Sequence, residues 1–153
     1  MSADTGESSP PRPPVPVRVA WESIDRHRGL TLLAIGGLVV GGLMAVLGLP
    51  PIDMHGPLHR WFGIMDPLCG GTRGVSYAIR GDWRLAWAYN PASIPLVVGA
   101  VVLVVRRLVG MVSGRWLNVW FLLPRRVAIP LFGVLLVALE INQQLHAPLL
   151  MGP

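Results

Sequence analysis

Residues 29–49 read GLTLLAIGGLVVGGLMAVLGL, a stretch of 21 residues without a charge. At about 1.5 Å of rise per residue such a helix covers roughly 30 Å, the thickness of a bilayer's hydrocarbon core. A helix satisfies its own backbone hydrogen bonds, which lipid cannot do for it. Pro50-Pro51 ends the stretch. Gly37 and Gly41 stand four apart, a spacing that lets another helix approach closely. The expected partner for that face is another membrane protein or a second copy of this chain. Upstream, AWESIDRHR at 20–28 reads as a short interfacial helix, with Trp21 at the boundary and Arg26 and Arg28 on phosphates.

Two more apolar runs follow. Asn90-Pro91 opens the second, expected over 91–109 and closed by Arg106-Arg107. The third is expected over 127–145, where it turns polar at EINQQLH. Between them SGRWLNVWFLLP, residues 113–124, reads as an interfacial turn or helix. Composition agrees: 52% of the residues are hydrophobic and 14% charged, against about a quarter charged in soluble domains. The expected fold is an all-α integral membrane protein with three transmembrane helices. Two short interfacial helices occupy the loop between the first and second. Residues 1–19 form a Pro-rich tail, expected to be disordered, ahead of a single membrane domain over 20–153.

All 13 basic residues are arginine and the net charge is +5. They cluster at the ends of the apolar runs, which points to lipid headgroups and away from nucleic acid. Arg12, Arg18, Arg26 and Arg28 precede the first helix; Arg106, Arg107, Arg115, Arg125 and Arg126 lie between the second and third. The arginine bias places both segments in the cytoplasm, and the polar insert and C-terminus outside, in a multi-pass protein of a bacterial plasma membrane.

The insert, residues 52–90, carries the chemistry. From Gly56 to Asn90 it reads GPLHRWFGIMDPLCGGTRGVSYAIRGDWRLAWAYN and holds the only cysteine and both tyrosines. Asp66-Pro67 begins a turn, Thr72 is expected to cap a first short helix, and Asp82 a second, Trp83 to Tyr89. Trp83 and Trp87 share a face of that helix. The segment resembles a family of small bacterial membrane proteins described only as a domain of unknown function. That family's pattern runs Cys-Pro, then Cys-Pro-x-Cys-Gly-x-Thr-Arg, a short helix, Gly-Asp, another short helix and Asn-Pro. Pro57, Gly63, Pro67, Cys69, Gly70, Thr72, Arg73, Gly81, Asp82, Asn90 and Pro91 fall on it. Gly56 and Asp66 stand where the pattern has its first two cysteines, leaving Cys69 alone. The resemblance implies a membrane protein with few helices and no known enzymatic activity.

Three site readings stand side by side. Cys69, Gly70, Thr72 and Arg73 offer backbone N–H groups and a guanidinium at a helix start, a setting for a small ligand or lipid headgroup. His55, His59, Asp66 and Cys69 supply metal-ligand atoms, though not at a common zinc spacing. Glu140, the single carboxylate inside an apolar run, is expected to pair with Arg73 or Arg80. No catalytic set and no cofactor site stand out. The leading functional reading is a non-catalytic accessory or assembly partner in the membrane, surrounded by lipid. The alternative is a protein that binds a small ligand, lipid headgroup or metal at the insert.

Overall fold

The computed structural model describes residues 17–48 and 66–150. In chain order the elements are β1 (Val17–Glu22), α1 (Arg28–Leu47), α2 (Gly71–Ile79), α3 (Trp83–Tyr89), α4 (Ser93–Ser113), β2 (Trp116–Phe121), α5 (Arg125–Leu145) and α6 (Ala147–Leu150). Helices α1, α4 and α5 are each long and apolar enough to cross a membrane. The short helices α2 and α3 lie between α1 and α4 in the chain, as expected. The protein is therefore an integral membrane protein by length and composition of its helices.

Helix α1 is apolar all round, so most of its surface faces outward rather than into a core. It packs beside α4, and α2 sits against both. The contact between α1 and α2 is made at Gly41. A Cβ there would come within 2.7 Å of Ile79 Cδ1 and 2.9 Å of Val75 Cγ1. Gly41 thus serves a contact inside the chain, whereas Gly37 has open space around it. Helix α5 makes no extended contact with α1 or α4 among the described residues. It continues into α6, whose Leu150 packs on Cys69 with Tyr89 and Ala147 beside them.

Two segments differ from expectation. Val17–Glu22 and Trp116–Phe121 form an antiparallel strand pair, with Val17 opposite Phe121 and Glu22 opposite Trp116. This replaces the tail's last residues, the interfacial helix over 20–28 and the turn or helix over 113–124. The physical reason is composition: both segments are rich in Val and Trp, and the second adds Phe, residues that fit a pleated strand better than a helix turn. Neither strand could be recognised alone, because its partner lies about a hundred residues away in the chain.

The strand pair is pinned to the helices by a buried polar cluster. Arg106 donates through Nη2 to Asp25 Oδ1 at 2.9 Å and to Asn118 Oδ1 at 2.7 Å, and through Nε to the Leu117 carbonyl. Arg107 Nη1 reaches Asp25 Oδ2 at 3.5 Å. The Arg106 and Asp25 side chains are each only 8% exposed. Asn118 Nδ2 donates to Glu22 Oε2 and to the Ile24 carbonyl, both at 3.0 Å. The His27 ring covers the outer edge of β2, with Nε2 3.1 Å from the Val119 carbonyl and 3.3 Å from its N–H. Outside the membrane spans, the Arg26 hydrogen bond holds the Glu22 carboxyl below its ordinary range; desolvation opposes this, and Asn118 adds to it. The ring of Trp116 lies directly over Gly110, where no side chain could fit.

A buried ion pair is costly to break from one side, at about 3–5 kcal/mol, because the surviving charge is left without a partner. Asp25→Ala should therefore lower the thermal unfolding midpoint in detergent sharply, and the double variant Asp25→Ala with Arg106→Leu should recover part of that loss. A midpoint unchanged by Asp25→Ala would show that the pair does not hold the strands to α4.

Candidate functional site

The insert's described part is a tightly crossed turn and two short helices. Residues 66–70 form a turn in which Cys69 N–H donates to the Asp66 carbonyl at 2.9 Å and Gly71 N–H to Leu68 at 3.0 Å. Gly70 then takes a left-handed conformation at φ 69° and caps α2. A Cβ there would lie 2.6 Å from the Tyr89 carbonyl oxygen, so both the dihedral and the close approach call for glycine. The helix starts earlier than expected, which puts Thr72 inside α2 and not at its cap. Asp82 does cap α3, its Oδ1 accepting from Leu85 N–H at 3.1 Å.

The turn is held by Asn90. Its Nδ2 donates to the carbonyls of Pro67 at 3.0 Å and Cys69 at 3.1 Å, and its Oδ1 accepts from Ala92 N–H at 3.0 Å. Asn90 is 1% exposed. Its own carbonyl accepts from Ser93 N–H and Oγ. One side chain therefore ties the 66–70 turn to the start of α4. Beneath it, α2, α3 and α4 meet on small residues: Ala78, Ala86 and Val97 form a buried cluster, and Gly74 lies against Ser93.

Above the turn the two tyrosines stack. The Tyr77 and Tyr89 rings lie 5.2 Å apart and are tilted by only 9°. The Arg73 guanidinium sits 5.7 Å from the Tyr89 ring, and Arg80 sits 5.9 Å from Tyr77. Arg80 also donates to the Ala45 carbonyl near the end of α1. Arg80 is exposed and Arg73 half-buried, and cation–π contacts in such settings contribute about 0.5–1 kcal/mol each.

The expected site residues are distributed as follows. Cys69, Gly70, Thr72 and Arg73 lie together at the start of α2. Cys69 is buried against Leu150, the setting of a small packed hydrophobe rather than an accessible thiol. His55 and His59 lie outside the described residues. Among the described residues no three His, Cys, Asp or Glu side chains gather as a metal site. Glu140 accepts a hydrogen bond from Gln144 Nε2 at 3.1 Å, one turn along its own helix. Ion pairs between described residues join Glu22 to Arg26, and Asp25 to Arg106 and Arg107. Sequence reasoning missed the Asn90 clamp and the tyrosine stack. The only signal was their co-occurrence: both tyrosines of the chain fall in this segment, Tyr89 immediately before Asn90.

A family model described as a protein of unknown function, DUF2752, matches residues 57–104. This range contains α2, α3 and the first half of α4. No curated protein and no solved structure matches the chain. The matched range contains the whole described part of the insert, including the Asn90-centred crossing.

Asn90→Ala removes three hydrogen bonds of a buried side chain and leaves two carbonyls without that partner, a loss of about 2–4 kcal/mol. The expected outcome is a lower unfolding midpoint together with faster maleimide labelling of Cys69, which should react slowly in the unaltered protein. Equal labelling rates in both would mean that Asn90 does not keep the turn closed.

Proposed function

We propose that this integral membrane protein is a non-catalytic accessory or assembly partner of a larger membrane complex. The observation that carries this reading is the placement of α5. It is joined to the rest at its α6 end and stands off from α1 and α4, with Phe132, Val134 and Leu135 exposed along its length. Gly36, Gly37, Gly99 and Gly133 have open space around them, so a partner helix could approach the backbone closely there. The insert supports the same reading. Cys69 and Gly70 are consumed by packing against Leu150 and Tyr89, which disfavours the alternative of a small-ligand, headgroup or metal site built on those residues.

Orientation is part of the proposal. The strand pair brings Arg18, Arg26 and Arg28 to the same end as Arg106, Arg107 and Arg115. This common end supports a cytoplasmic N-terminus, with the insert and C-terminus outside a bacterial plasma membrane.

Photo-crosslinking in cells checks the assembly reading. A photoreactive residue at Phe132 or Leu135 should give one discrete heteromeric adduct of the same mass from both positions. Adducts to lipid alone, or to a second copy of the chain, would overturn the proposal.

A further inference from the structure

Helix α3 leaves a second feature unused by the crossing. Trp83, Arg84 and Trp87 line an open groove of about 430 Å³ with Ile94 of α4. Trp83 is 47% exposed and Trp87 58%, unusual for indoles unless lipid or a ligand covers them. Their spacing puts both on one side of α3, and Arg84 lines the same groove. Ile94 is in the first turn of α4, where the membrane span begins, so the groove opens at the level of the bilayer boundary. Indoles prefer that level because they carry a broad apolar body and one N–H donor.

The charge at the groove distinguishes it from a bare aromatic belt. Arg80 is committed to Ala45 and Tyr77, and Arg73 to Tyr89. Arg84 has no hydrogen-bond or ion-pair partner among the described residues. The acid closest to it in the chain, Asp82, accepts from Leu85 N–H. One guanidinium beside an otherwise apolar wall is complementary to a molecule with one anionic group and a hydrocarbon chain. A free inorganic anion would gain nothing from the indoles and Ile94.

We propose that the groove of Trp83, Arg84, Trp87 and Ile94 holds one anionic phospholipid, its phosphodiester on Arg84 and its chain against the indoles and Ile94. This site lies one short helix away from the Cys69–Arg73 turn and does not depend on a protein partner.

Native mass spectrometry of the full chain in mild detergent tests it, with phosphatidylglycerol or phosphatidylcholine added at equal concentration. The protein should retain one phosphatidylglycerol preferentially. Arg84→Gln should reduce that retention roughly tenfold, to the phosphatidylcholine level, as expected for loss of one charge-assisted contact. Arg84→Lys should keep most of the preference, and the helical circular dichroism of both variants should match the unaltered protein. Equal retention of the two lipids by the unaltered protein would overturn the proposal. So would an undiminished preference in Arg84→Gln, or displacement of the lipid by millimolar inorganic phosphate.

Discussion

The buried amide of Asn90 is the contact on which the insert depends. A turn placed against the end of a membrane helix has carbonyls that neither lipid nor apolar side chains can satisfy. Asn90 meets two of them, at Pro67 and Cys69, and turns its own oxygen to the N–H of Ala92. Asparagine suits the position because one amide both donates and accepts. With the turn held, Gly70 can pass under the Tyr89 carbonyl and Leu150 can close over Cys69. The last helix of the chain is thereby fastened to the insert.

The opposite end of the bundle solves the same problem with charge. Arg106 is close to the end of a membrane span and is nearly buried, yet its guanidinium reaches Asp25, Asn118 and the Leu117 carbonyl. These acceptors come from the turn after β1 and from β2. The strand pair thus serves as a lid that supplies hydrogen-bond partners to an arginine that would otherwise face hydrocarbon. Between the two polar ends, the helices rely on small residues and outward-facing aliphatic side chains. Gly41 admits α2 to α1, and Gly110 admits Trp116 to α4.

Much of the architecture was legible because it follows from local rules. An uncharged run of membrane length becomes a spanning helix whatever its neighbours are, and the three spans fall within a few residues of expectation. Asp82 reads as a cap because its partner is three residues away. Thr72 was misplaced as a cap because the choice between it and Gly70 rests on a left-handed turn squeezed against Tyr89, a contact 19 residues distant. The strands were missed for the same reason, since β1 and β2 become strands only through each other.

The sequence by itself determined that the chain enters a membrane three times, where the arginines gather, and that a polar, aromatic insert separates the first two spans. Those properties are sums over neighbouring residues, and hydrophobic transfer and chain length decide them. Only the tertiary structure decided what the individual insert residues do. It set Val75 and Ile79 against Gly41 of α1, buried Cys69 under Leu150 and stacked Tyr77 on Tyr89. Each of these depends on side chains brought together from separate elements, and no local propensity encodes which of several similar arginines or glycines will find a neighbour.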